Sequence, residues 1–528
     1  MKKVNIPILL LLFFSGFSFL QAQNTRYVDP IFSGFNKVSD VVYGTNISVL
    51  TGTPTALDLK MDVYSPAGDS ETERPVVLYF HTGSFLPQYL NGQITGGRLD
   101  STVVEVCTRL AKRGYVAIAV TYRQGWLPTS PDQNVRTGSL LQAAYRGIQD
   151  ARTCVRFLRK NVAEGGNTYG IDPDKIVMWG QGTGGYISLG AAFLDDYQEI
   201  VIDKFINTQT ALPFVIESLH GDVNGTNTTP LNTPNHLGYS SDFAMAINMG
   251  GALGDSSWVD GSANEPVTMG YHVVTDPFAP FGNGPVIVPT TMEFVVNVSG
   301  TRTAVQFANE SGANDILAPV LTMNPDALTQ FVTAVKNVPV NLAALGQGPT
   351  TLGADHIYPF RVAGLGSGPW DWWNKPLLDA IIAQFPAQFM LNSDVLHNNG
   401  LITNPDMSAT KARLYIDTIM QYFIPRACQG LQLESCLLVS KTEEIANEDL
   451  VQLSVAPNPS SSDMLIQCNA QTPMMDVQVF NMNGMLVQSV RNVNNNQYTL
   501  QRNNLPPGMY LVKVRFEKGF LAKRVVFN

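Results

Sequence analysis

The sequence is poor in positive charge: 34 Lys and Arg stand against 43 Asp and Glu, a net charge of -9, which leaves no basic face for tracking phosphates and excludes nucleic acid as an expected partner. Cysteine is also sparse, with five in 528 residues, enough for isolated disulfides but not for a disulfide framework. In "ACQGLQLESC" Cys428 and Cys436 stand close enough to close a small loop. Cys107 and Cys154 fall on different predicted helices and read as separate buried thiols, and Cys468 is left over. No Cys/His cluster has metal-ligand spacing, and "GQGTGG" lacks the Gly-Lys-Ser/Thr ending of a phosphate loop, so no metal and no other cofactor is expected. Long apolar runs are missing after the first residues, which excludes a later transmembrane helix. Those first residues, MKKVNIPILLLLFFSGFSFLQAQ, place two lysines before a short apolar run that ends in small and polar residues near Ala22, the pattern of a signal peptide over 1–22.

At 528 residues and 45% hydrophobic, the chain is long enough for one large core and a second, smaller domain. Strand signals at 41–47, 56–64, 75–80, 115–122 and 175–179 alternate with amphipathic helix signals at 101–113 and 140–161, which predicts a mostly parallel sheet flanked by helices. A further helix is expected over 186–195, more strands at 244–249 and 267–272, and closing helices at 377–385 and 409–423. The stretch 286–354, interrupted by Asn, Thr, Pro and Gly, reads as an insertion that shapes a pocket or lid. Composition then shifts: 431–450 reads as a polar linker, and the residues from 451 on as a small β-sandwich with strands at 476–480, 485–489, 498–500, 509–516 and 521–527.

Two parts of the chain resemble known families. "APNPSS" at 456–461, "FNMNGMLV" at 480–487, "LPPGMYLVKV" at 505–514 and the terminal "AKRVVF" resemble the type A sorting domain of the type IX secretion system of Bacteroidetes. That resemblance implies export across both membranes, with the secretion machinery as the partner of 451–528. Residues 24–430 contain "VVLYFHTGSF" at 76–85, "YGIDPDKIVMWG" at 169–180, "GQGTGG" at 180–185 and "YHVVTDPFAPF" at 271–281, in that order. They resemble the α/β-hydrolase superfamily, in particular secreted carboxylesterases of the feruloyl and acetyl-xylan esterase type.

That resemblance assigns roles by position. In Gly-x-Ser-x-Gly a serine stands on a strained strand-to-helix turn. Here Gly180 and Gly184 hold the glycine places and Gly182 holds the nucleophile's, with no side chain to attack a carbonyl. A shifted register would make Thr183 the nucleophile, but it would place Gln181 where the turn is crowded, and Thr is β-branched. Ser188 lies too far along the helix. His81, Thr82, Gly83 and Ser84 stand where relatives carry a glycine-rich oxyanion loop, with Thr82 and Ser84 in place of two glycines. Asp276 matches the acid, or else caps a turn before Pro277. The base is missing from "AGLGSGPWDWWNKP", the loop where relatives carry it. His356, at the other end of the preceding strand, is the remaining candidate, since His397 lies beyond the next helix. Trp126, Tyr122 and the Trp370–Trp373 cluster are candidates for lining a cleft for an ester or carbohydrate-linked ligand, or simply for core packing.

With nucleophile and base both unfilled, the leading expectation is an exported pseudoenzyme on a carboxylesterase fold. Two readings stay open beside it: an active esterase using Thr183 or Ser84, and a surface-binding or adhesion protein for which the hydrolase domain is a scaffold.

Overall fold

Burial with a period of two along the central strands decides the architecture. In the computed structural model, which describes residues 26–437 and 448–528 apart from 263, 289–290, 324, 365, 482–485, 491–492, 504 and 517–518, strand β3 (Arg74–Phe80) sends Val76, Leu78 and Phe80 into one core and Val77 and Tyr79 into another. Strand β4 (Val116–Val120) and strand β5 (Ile171–Gln181) alternate in the same way, with Ile118 and Met178 on the first face and Ala119 and Trp179 on the second. A strand buried on both faces must be covered by helices on both. The signal-peptide expectation for 1–22 and most of the linker lie outside the described residues.

Eight strands form the sheet, in the order β1-β2-β4-β3-β5-β6-β7-β8. The remaining strands are β1 (Phe35–Ser48), β2 (Thr55–Pro66), β6 (Met245–Met249), β7 (Val267–Val273) and β8 (Ile357–Phe360). Strand β2 runs antiparallel to both of its neighbours, and every pairing from β4 to β8 is parallel. Helices α2 (Gln133–Glu164) and α3 (Thr183–Phe193) cover the first face through residues such as Ile148, Val155, Ile187 and Leu189. Helix α1 (Ser101–Ala111) covers the second through Val103, Val106 and Leu110. This is the α/β-hydrolase fold. Cys107 and Cys154 sit in opposite cores as free thiols, whereas Cys428 and Cys436 are bonded.

The expected helix at 140–161 runs longer in both directions, with Asp132 capping Asn134 N–H at its start. Helix α3 begins at Thr183, earlier than the expected 186, so the glycine turn itself starts the helix. Later helices are α4 (Thr301–Ser311), α5 (Lys375–Ile382), α6 (Ser393–Thr403) and α7 (Ala409–Gly430). Helix α7 packs Ile416, Ile419 and Phe423 on the second face. Helices α5 and α6 share a small core of Leu378, Ile382 and Leu396 with Ile94 from the loop after β3.

The C-terminal unit, described from residue 448, has two antiparallel sheets, one of three strands (454–456, 464–467, 497–500) and one of four (486–490, 476–481, 508–515, 520–527). Their inner faces enclose Ile466, Val477, Val512 and Val525. The strands at 454–456 and 464–467 were not expected from sequence.

Candidate functional site

Because β3, β5, β7 and β8 run parallel, the loops leaving their C-terminal ends gather at one edge of the sheet. There they surround a cavity of about 490 Å3 whose wall includes Thr82, Gly182, Thr183, Asp276, Ser367 and Asp371. The expected insertion contributes Val286–Val288 to the wall, and residues 399–407 and 91–95 supply more of it.

At the β5–α3 turn Gly182 has φ 54° and ψ -116°, a strained backbone that L side chains rarely adopt. Its N–H donates to Met249 O (2.9 Å), and its carbonyl accepts from Gly185 N–H (2.9 Å). The flanking glycines are required by contact: a Cβ on Gly180 would stand 1.9 Å from Gly184 O, and one on Gly184 would stand 2.1 Å from Phe80 O. At Gly182 the obstacle is a side chain. A Cβ there would lie 2.2 Å from Thr82 Oγ1 and 2.9 Å from Thr82 Cβ, so Thr82 fills the room a nucleophile would need.

Thr183 occupies the first position of α3, and its hydroxyl lies 3.0 Å from Tyr122 Oη. Tyr122 donates its own proton to His81 O (2.8 Å), so Thr183 is the donor of that pair. Burial pushes the Tyr122 phenol far above its ordinary pKa, which leaves Thr183 without a base. Ser188 is buried and donates to main-chain carbonyls of Gly185 and Ile247.

The loop after β3 bends sharply, with positive φ at Gly83 (129°), Ser84 (57°) and Phe85 (49°). His81 is buried beneath it, stacked on Tyr122 with centroids 4.7 Å apart. Its Nδ1 sits 2.6 Å from Thr82 O, an arrangement that requires Nδ1–H to donate, and burial pulls its pKa down to about 4. His81 is thus a neutral structural ring, while Thr82 and Ser84 face the cavity.

Asp276 follows β7. One carboxylate oxygen accepts from Phe278 N–H (2.8 Å) and Ala279 N–H (3.3 Å), and the other accepts from Ser367 Oγ (2.7 Å). Burial pushes its pKa up to about 6 against the pull of those donors. Asp276 thus caps the turn before Phe278 and at the same time lines the cavity. Ser367, unmarked in the sequence, lies in the loop after β8 and donates to Asp276 directly. Its signal was its place in that loop, but a serine among glycines carries no mark of a partner on another strand.

Among the described residues no imidazole is hydrogen-bonded to Asp276. His356 precedes β8 at its N-terminal end, with φ 66°, buried beside Arg426, and burial and that cation hold its pKa well below the ordinary value. The strand separates it from Asp276, so the candidate base is not brought to the site. His272 bonds Thr301 Oγ1 (2.6 Å) and Ala279 O (3.1 Å), His236 bonds Tyr43 O (2.7 Å), His220 lies 3.0 Å from Ile216 N, and His397 accepts from Trp373 Nε1 (3.0 Å).

Asp371 is a second carboxylate in the wall. Its Oδ1 accepts from Thr102 Oγ1 (2.6 Å) and Gln181 Nε2 (2.9 Å), and burial pushes its pKa up to about 6. Gln181 also accepts from Tyr79 Oη (2.8 Å), which holds its side chain away from the turn. Trp370 and Trp373 line the cavity with Trp126, whereas Trp372 packs against the second core.

Among the described residues no group of His, Cys, Asp and Glu is arranged to hold a metal ion, and no helix is long and apolar enough to cross a membrane.

Residues 61–220 match the BD-FAE family, and residues 454–528 match the secretion system C-terminal sorting domain. Secreted lipase 5 of Gibberella zeae is 24% identical over 203 residues, which is 37% of this chain and 33% of the lipase, so the match spans about a third of that relative. Among solved structures, esterase 2 of Thermogutta terrifontis phosphorylated by paraoxon aligns at 19% identity over 47% of this chain and 74% of that one, with a TM-score of 0.27. The apo form of the same esterase aligns at 19% identity over 47% and 75%, with a TM-score of 0.26. Residues 61–220, on an α/β-hydrolase fold, are thus similar to the BD-FAE family, and residues 454–528 are similar to the secretion system C-terminal sorting domain.

Proposed function

We propose that this chain is an exported pseudoenzyme, an α/β-hydrolase-fold protein that holds a small ligand in its cavity without hydrolysing it. The observation that carries the reading is Thr82, whose side chain occupies the place of a nucleophile on residue 182. Ser367 supports it from the other side by taking the bond to Asp276 that a base would make. A serine hydroxyl cannot replace imidazole as a general base near neutral pH. What remains for oxyanion binding is the start of α3 ahead of Gly185, whose N–H is committed to Gly182 O, and without a nucleophile and base such a site gives rates orders of magnitude below those of a complete triad. The sorting domain supports delivery to the cell surface or beyond through type IX secretion machinery.

The test is hydrolysis of p-nitrophenyl acetate and labelling by a fluorophosphonate probe. The wild-type chain is expected to show neither, and the Thr82→Gly/Gly182→Ser/Ser367→His variant to become labelled. Wild-type turnover that disappears in Thr183→Ala or Ser84→Ala would overturn the proposal in favour of an esterase with a displaced nucleophile.

A further inference from the structure

The cavity has an unbalanced lining. Its wall carries two carboxylates, Asp276 and Asp371, and among the described residues no Lys, Arg or His. Six aromatic rings complete it: Phe85, Trp126, Tyr186, Phe278, Trp370 and Trp373. Lys411, the cation that acts on Asp371, bonds Asn404 instead of either carboxylate. Asp276 faces N–H and O–H donors and Tyr186, and Asp371 faces Thr102, Gln181 and the carboxyl of Asp100. Neither carboxylate has a salt-bridge partner among the described residues.

Asp371 has one oxygen to spare. Both of its bonds end on Oδ1, and Oδ2 receives no donor among the described residues. Beside it, the indole N–H of Trp370 is buried without a partner, although Trp370 is only 2% exposed. A Cβ on Gly368 would stand 2.8 Å from Asp371 Oδ2 and 3.8 Å from Trp370 Nε1, so a side chain at 368 would press on that oxygen. Asp371 Oδ2, in the cavity wall, is open to a donor from a ligand, whereas the buried indole N–H loses free energy while unpaired.

Resting on the reading of this cavity as a non-hydrolytic binding site, we infer that its ligand is an organic ammonium compound. The cation sits against Asp371 Oδ2 and within the field of Asp276, and the organic part lies on the aromatic wall. Aromatic faces attract cations, and they do so more strongly where water is excluded. A carboxylate ligand meets the opposite conditions, two like charges and no cation, with only the N-terminus of α3 in its favour. Bound cation also favours the ionised acids. Since burial holds both groups near pH 6 when the site is empty, binding below that pH must displace protons.

The test is calorimetric titration of the full chain with 2-phenylethylammonium, 2-phenylethanol and phenylacetate. The ammonium compound is expected to bind at least about tenfold more tightly than the other two at pH 7.5, and to weaken about tenfold by pH 5 with proton release. Asp371→Asn keeps an acceptor for Thr102 and Gln181, so with its melting temperature unchanged it should weaken the ammonium compound about tenfold and leave 2-phenylethanol alone. Equal or tighter binding of the alcohol or of phenylacetate, no binding of the ammonium compound, or full affinity in Asp371→Asn would overturn the inference. Any of these in a chain that still does not cleave esters leaves the pseudoenzyme reading standing; ester turnover with ammonium binding intact removes that reading alone.

Discussion

The two sides of the cavity are held in different ways. On the β5–α3 side the constraint is steric: Gly182 has a strained φ of 54°, and Thr82 takes the space a side chain on residue 182 would need. On the β7–β8 side the constraint is one of hydrogen bonding, with Ser367 Oγ donating to Asp276. A turn of this kind is held by backbone contacts that tolerate no added atom. A carboxylate is held by donors that can be exchanged one at a time, so the two sides should respond differently to substitution.

The largest effect is expected at Gly184→Ala, whose Cβ would meet Phe80 O at 2.1 Å. Neither partner is a side chain that can rotate away, so a loss of about 3 kcal/mol or more is expected in denaturant unfolding, or no folded protein at all. A stability close to wild type would show that the turn is softer than its contacts imply.

Gly182→Ser alone should cost about 2 kcal/mol by the same measurement, through collision with Thr82. Adding Thr82→Gly should recover part of that loss, because the two residues share one space. Strictly additive effects would break the steric account of this side.

On the acid side the expected signature is in pH. Asp276 has a folded pKa near 6, raised above that of an unfolded carboxyl, so its contribution is fully present below about pH 4 and is lost as pH rises to about 6. Replacing it by Asn should flatten the stability profile across that window by roughly 3 kcal/mol, and an unchanged slope would locate the pH dependence elsewhere. Asp69 offers the opposite sign within the same molecule: burial opposes its ionisation, but bonds from Arg26 and Arg74 prevail and hold it at about 2, so its contribution is lost as pH falls toward 2.

Ser367→Ala should have the smallest effect, about 1 kcal/mol for one lost bond to a carboxylate that keeps two N–H donors. A larger loss, measured by the same unfolding assay, would mean that Ser367 positions the whole loop after β8.

Much of the sheet was legible because its strands carry the period-two and continuous apolar patterns that parallel sheets demand, and the boundaries shifted by a few residues where caps and turns decide. Helix α6 was not legible: "HNNG" within it has poor helix formers, and its formation depends on Leu396 packing with Ile94 and Leu378. The strands at 454–456 and 464–467 were missed for a similar reason, since their pairing partners are distant in sequence or separated by a proline-rich turn.

By itself the sequence determined that residue 182 has no side chain, that the loop after β8 has no histidine and that the last residues form a separate β module, because these are matters of composition and local pattern. Only the tertiary structure decided that Thr82 fills the vacated space, that Ser367 reaches Asp276 and that Asp371 joins the wall. Those contacts join residues 100, 91 and 190 or more positions apart, between Thr82 and Gly182, Asp276 and Ser367, and Gln181 and Asp371. Parallel strands bring together ends that no local pattern relates.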